Sequence, residues 1–207
     1  MKRTKKIGAA VTVLLIFAMS VTTVFADIDY SQWDSGVKGY PKDVAGTALF
    51  AQAQDFFDNK VITGDTDGLF HPDRTLKRSE FAAILARATA NKGQITTSGE
   101  KNYFNDLKGY GWAKAYINFC SEKGLMEGTG GNKFNPGGVI TYQEAMTAII
   151  RSKGISETVM SSYGTWPNNY IKYASMYNMN GTVKVTNWAA PITKGEVVQF
   201  MYKNMPK

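Results

Sequence analysis

The spacings with the plainest chemistry are Thr141-x-x-Glu144 and Thr193-x-x-Glu196. A threonine followed three positions later by a glutamate, ahead of an apolar helical pattern, forms a capping box: the threonine oxygen accepts from the N3 amide, and the glutamate reaches back to the N-cap amide. Glu80 holds the same place in Leu76-Lys77-Arg78-Ser79-Glu80. Three such carboxylates invite a reading as catalytic acids, but capping already accounts for each of them. Glu80, Glu144, Glu196, Thr141 and Thr193 are therefore expected to be structural, and no catalytic residue is assigned. The position after the cap is a different matter. Arg78 and Lys194 put a cation beside unpaired amides at the positive end of the helix dipole, where it destabilises the helix. Two readings stand: an anion such as a carboxylate is received there by amides and cation together, or the side chain is a solvated surface cation.

Little else in the chain offers chemistry. With one cysteine and one histidine, no intramolecular disulfide and no His/Cys zinc cluster can form. Cys120 falls in the apolar pattern Tyr116/Ile117/Cys120, so burial is expected in preference to a nucleophilic pair with His71. Asp65, Asp67 and Asp73 suggest a calcium loop. However, Thr129, Gly131 and Gly137 replace them 64 positions on, and no bidentate glutamate follows at EF-hand spacing, so turn chemistry is expected and no metal. Trp112 and Trp166 open amphipathic patterns and are read as structural plugs ahead of sugar-stacking platforms. Tyr40 and Tyr103 are candidates for groove mouths.

The elements that must position these residues follow from an internal repeat. Gly64, Phe70, Pro72, Leu76, Glu80 and Arg87 recur 64 residues later as Gly128, Phe134, Pro136, Ile140, Glu144 and Arg151. A third copy aligns Ile192-Thr193-x-x-Glu196 with Ile140-Thr141-x-x-Glu144 and Trp166 with Trp112, but Trp188 stands where Pro136 would be. The copies run over 40–90, 103–153 and 163–205, with linkers read at 91–102 and 154–162. Apolar residues at i, i+3, i+4 (Phe81/Ile84/Leu85, Ala145/Ala148/Ile149, Val197/Phe200/Met201) mark the second helix of each copy. Leu49/Ala53/Phe56, Ala113/Tyr116/Ile117/Cys120 and Tyr170/Ile171/Ala174 mark the first. Phe70 and Phe134 close the loops between them. A helix pair of this size cannot bury its stripes alone, so three copies must pack together. The expectation is an all-α domain of three helix-loop-helix repeats with pseudo-threefold symmetry.

Upstream, residues 1–26 read as a secretory signal: Lys2, Arg3, Lys5 and Lys6, an apolar run from Ile7 to Met19, and Val24-Phe25-Ala26 as the cleavage site. Cleavage lowers the formal charge from +7 to +3, which suggests no nucleic-acid partner, and no later stretch approaches the roughly 20 apolar residues of a membrane span. A secreted protein without membrane attachment is expected.

Tyr103-Phe104-Asn105-Asp106, Trp112, Gly124, Gly128, Phe134-x-Pro136 and Ile140-Thr141-x-x-Glu144, in tandem copies, resemble S-layer homology (SLH) repeats. The resemblance implies a three-repeat bundle with one central helix per repeat, and grooves between repeats that anchor the protein to secondary cell-wall polysaccharide, commonly through pyruvylated sugars. It implies location at the cell wall or S-layer, no cofactor and no enzyme activity. The family signature Ile-Thr-Arg-Ala-Glu associates its arginine with the polysaccharide. The ligand-binding positions carried over are Arg78, which keeps the arginine, Lys194, which keeps the charge without the planar fork, and Tyr142, which keeps neither. On this reading Arg78→Ala weakens binding with little effect on folding, Tyr142→Phe is nearly silent for wall binding, and Tyr142→Arg creates or strengthens a site. Two alternatives accompany it: an envelope structural or adaptor protein whose repeats bind protein partners, and, less favoured because the repeats fill the sequence, a wall-modifying glycan hydrolase.

Overall fold

A computed structural model describes residues 41–65 and 67–205; the signal at 1–26 and Tyr40 lie outside them. Each repeat contributes two helices: α1 (Phe50–Asp58) and α2 (Arg78–Thr89), α4 (Lys114–Glu122) and α5 (Tyr142–Ser152), and α7 (Asn168–Met176) and α8 (Lys194–Asn204). The stretches read as linkers are not irregular. They carry α3 (Lys92–Gly99) and α6 (Glu157–Ser161). The local reason is capping: Asn91 accepts from the Gln94 amide while Gln94 reaches back to the Asn91 amide, and Ser156 accepts from the Val159 amide. α3 then packs on α4 and buries Ile95. No β-strand occurs among the described residues.

The two helices of one repeat are not each other's principal packing partners. α2 packs on α4, α5 on α7, and α8 returns to α1, so the second helix of each repeat lies against the first helix of the next and the third repeat closes on the first. The second helices form the interior, with Phe81, Leu85, Ala145, Ile149, Val197, Phe200 and Met201 fully buried. Each such side chain contributes about 1.5–3 kcal/mol on burial if it is large. This is the pseudo-threefold all-α bundle that the periodicity requires.

A ring of backbone hydrogen bonds marks the symmetry axis. The Leu76 amide donates to Ile192 O (3.3 Å), the Ile192 amide to Ile140 O (3.1 Å), and the Ile140 amide to Leu76 O (3.0 Å). These three residues are repeat-equivalent and buried, so one backbone donor and one acceptor per repeat are satisfied without solvent.

The interhelical loops of the first two repeats are fixed by a carboxylate from the start of the same repeat. Asp43 accepts from the amides of Phe70 (2.9 Å) and His71 (2.6 Å), and Asp106 from those of Phe134 (2.9 Å) and Asn135 (2.8 Å). His71 and Asn135 have φ of 55° and 58°, and the paired amides hold them in this left-handed turn. Phe70 and Phe134 are thereby driven into the core, both fully buried. Two of the three aspartates considered for calcium are engaged otherwise: Asp65 accepts from Arg74, and Asp67 accepts from the Leu69 amide and pairs with His71. Cys120 is fully buried with its thiol against Ala82 O, and burial pushes its pKa well up, which leaves no thiolate for nucleophilic chemistry.

Candidate functional site: the clefts between repeats

The amides at the start of α2, α5 and α8 do not wait for an anion. Those of Arg78 and Ser79 donate to Gly138 O and Pro136 O, those of Tyr142 and Gln143 to Ala190 O and Trp188 O, and those of Lys194 and Gly195 to Arg74 O and Pro72 O. Every acceptor belongs to the loop of the next repeat in the ring. The N3 amides of α5 and α8 are taken by Thr141 and Thr193 Oγ1. Glu144 and Glu196 accept from the Thr141 and Thr193 amides. In α2 Glu80 accepts from the Lys77 amide, but a lysine side chain has no acceptor to return. The arrangement of amides and guanidinium converging on an anion is thus ruled out, because neighbouring carbonyls already satisfy those donors. It also shows why Trp188 can replace proline: the position supplies a carbonyl, not a ring.

The residue after each cap reaches across the same inter-repeat seam. Arg78, its side chain 7% exposed, donates from Nε to Phe134 O (3.0 Å), from Nη1 to Glu144 Oε1 (2.9 Å) and from Nη2 to Glu127 O (2.8 Å), with its guanidinium 4.8 Å from the Phe134 ring. Lys194 repeats the pattern: Nζ donates to Thr63 O (3.2 Å), lies 3.4 Å from Asp65 Oδ1, and sits 4.9 Å from the Phe70 ring. Burial pulls both pKa values down, against the nearby carboxylates that raise them. Neither is a solvated surface cation.

Tyr142 holds the third equivalent position and donates from its hydroxyl to Glu196 Oε1 at 2.6 Å, the counterpart of the Arg78–Glu144 contact. Tyr142→Phe is therefore expected to lower stability by about 1–2 kcal/mol by removing a hydrogen bond to a charged group, read as a shift in the urea midpoint. In Tyr142→Arg the new guanidinium meets Glu196, as Arg78 meets Glu144, and the amides it was to assist are already paired. The expected result is an internal ion pair and no new anion site, checked by unchanged binding stoichiometry.

Two clefts open beside these seams. The first, about 200 Å³, is lined by Thr63, Asp65, Arg74, Glu80, Arg87, Trp112 and Lys194. The second, about 440 Å³, is lined at equivalent places by Glu127, Thr129, Glu144, Arg151 and Trp166, with Arg78 at the seam. Each draws on three repeats: the signature cation of one, the glutamate and arginine of the next, and the tryptophan of the one after (for the first cleft Lys194, then Glu80 and Arg87, then Trp112). Trp112 and Trp166 are 54% and 51% exposed, so they are not plugs but walls of the clefts. The Trp166 indole is held by a hydrogen bond to Thr147 Oγ1 (3.1 Å). Tyr103 lines neither cleft and donates to Glu122.

The two clefts differ in charge. Arg151 is paired with Glu127 (2.8 Å) and Glu157 (3.0 Å), and Arg78 with Glu144, so three carboxylates meet two cations there and the second cleft has no surplus positive charge. In the first, Arg74 bridges Asp65 and Glu80 and Lys194 leans on Asp65. Arg87 has no carboxylate within 4 Å among the described residues; it donates to Tyr116 Oη (3.2 Å) and lies 4.9 Å from that ring. Sequence reading passed over Arg87, although its recurrence as Arg151 was the available signal.

Comparison with known proteins agrees with this architecture. The S-layer homology domain model matches residues 57–82 and 103–146. The middle cell wall protein of Brevibacillus brevis is 29% identical over 141 residues, covering 68% of this chain and 13% of that protein. The surface-layer 125 kDa protein of Lysinibacillus sphaericus is 26% identical over 205 residues, 92% of this chain and 16% of that one. An amylopullulanase of Thermoanaerobacterium thermosulfurigenes is 30% identical over 164 residues, 71% of this chain and 8% of that enzyme. The chain thus spans less than a fifth of the length of each of these relatives. The matched segments include the first two interhelical loops, the plugs Phe70 and Phe134 and the signature glutamates Glu80 and Glu144, and the chain is an S-layer homology domain protein.

Proposed function

We propose that the protein is an exported, non-catalytic anchoring module that resides in the cell wall or S-layer and holds secondary cell-wall polysaccharide in its inter-repeat clefts. The observation that carries this reading is Arg87, a guanidinium without a carboxylate partner among the described residues, in a cleft walled by a half-exposed tryptophan. Three cations face two carboxylates there, and the surplus charge suits the carboxylate of a pyruvylated sugar, whose ring can lie on Trp112. Lys194 sits within this cleft and Arg78 within the other, so the signature positions contribute to binding by shaping the walls. The names of the relatives, cell wall and surface-layer proteins among them, support the location. The signature glutamates, occupied by caps and by Arg74, Arg78 or the Tyr142 hydroxyl, support a role without catalysis.

The test is sedimentation of the protein with purified wall sacculi, before and after chemical removal of the secondary polymer. Arg87→Ala is expected to weaken retention about tenfold to a hundredfold, the worth of one charge-assisted hydrogen bond, with the fold intact by circular dichroism. Undiminished retention of Arg87→Ala would remove this cleft from the mechanism. A second reading, attachment to an envelope protein, is favoured by the exposed Met176 and Tyr177 beside Tyr173 on α7. Retention on sacculi stripped of the polymer would select it.

A further inference from the structure

We infer that the two clefts take different ligand classes: the first a carboxylate-bearing sugar, the second an uncharged pyranose stacked on Trp166. The inference rests on the reading of the clefts as wall-glycan sites. It comes from comparing repeat-equivalent positions that share a backbone geometry but not a charge. Thr63 in the first repeat becomes Glu127 in the second, and Lys92, the first residue of α3, becomes Glu157, the first residue of α6. The two glutamates both pair with Arg151, whose counterpart Arg87 has no carboxylate within 4 Å among the described residues. The second cleft therefore contains its own carboxylates at the place where a ligand carboxylate would bind.

That substitution changes what the cleft can accept. A ligand carboxylate entering the second cleft meets Glu127, 73% exposed at the rim, and would have to displace it from Arg151; like charges brought together at a binding site are strongly unfavourable. An ionised carboxylate is an acceptor only, so Glu127 favours donors, and the hydroxyl groups of a neutral sugar supply them. Trp166 gives the apolar half of the recognition: it is half exposed, and its indole nitrogen is already tied to Thr147, so the ring presents a fixed face. The second cleft is also the larger, at about 440 Å³ against about 200 Å³, room for a whole pyranose in place of a terminal acidic group. One polymer whose charged end enters the first cleft and whose neutral body crosses the second would engage both, with the second contact made at high effective concentration.

The experiment uses the signal-free chain and a matched pair of probes, a methyl hexosaminide and its 4,6-pyruvate ketal. Binding is followed by the indole N–H resonances of Trp112 and Trp166, assigned with Trp112→Phe and Trp166→Phe. The expected result is that the ketal shifts Trp112, the uncharged parent shifts Trp166, and Glu127→Gln gains ketal binding at Trp166 by about tenfold, one charge-assisted contact released. Glu127 is exposed enough that this variant is expected to fold as the parent does, which circular dichroism checks. A wild-type Trp166 that responds to the ketal as strongly as to the parent, or to neither probe, overturns the division of labour. If the protein does not sediment with polymer-bearing sacculi at all, the anchoring reading itself fails. The two failures are read from separate measurements.

Discussion

Arg78→Ala is expected to destabilise the fold by about 3–5 kcal/mol, the range for removing one partner of a buried ion pair, and to lower the melting midpoint by roughly 10 °C. Read from sequence, this residue was a ligand contact whose loss would scarcely touch folding. The structure reverses the order of effects. Its three nitrogens serve Phe134 O, Glu144 and Glu127 O, all in the second repeat, so truncation strands two carbonyls and a carboxylate at the seam and opens a void under the Phe134 ring. Because ring closure depends on every seam, the loss acts on the whole bundle and not on one cleft. Any fall in wall binding by this variant has to be corrected for the unfolded fraction. Arg78→Lys is expected to lie between, since a lysine supplies the charge but not the fork that meets three acceptors. Unchanged thermal denaturation of Arg78→Ala would show that the seam contacts contribute nothing net.

Gly128→Ala is expected to cost about 3 kcal/mol, while the repeat-equivalent Gly64→Ala is nearly neutral. A Cβ on Gly128 would stand 2.6 Å from Lys133 O and 2.7 Å from Phe104 Cε1, one of them backbone and the other a ring packed on Phe134. Neither can retreat without opening the loop, and overpacking of that kind costs 1–3 kcal/mol and occasionally more. At Gly64 the nearest atom is Leu69 O at 3.5 Å, an ordinary contact. Neither glycine has positive φ, so the contrast is one of space and not of backbone conformation. Urea midpoints of the two variants, measured side by side, decide it; equal costs would mean that the first loop is as tight as the second.

Those two glycines show how far the sequence alone reaches. The 64-residue offset, the helical spacing of Phe81/Ile84/Leu85 and its copies, and the Thr-x-x-Glu boxes determined the all-α repeat architecture, because they are local: periodicity fixes which face is buried, and a cap fixes where a helix begins. The same locality hid the rest. Nothing in the sequence says that α2 packs on α4 and α8 on α1, that carbonyls of Pro72, Pro136 and Trp188 consume the amides once reserved for an anion, or that Asn91 and Ser156 cap helices in apparent linkers packed on the bundle. Arg78 and Arg87 are both arginines in one repeat, and only the tertiary structure decides that the first is a buried tie and the second a cation without a carboxylate partner among the described residues. The reason is that charge compensation depends on side chains far apart in the chain, such as Glu144 against Arg78, which come together only when the ring closes.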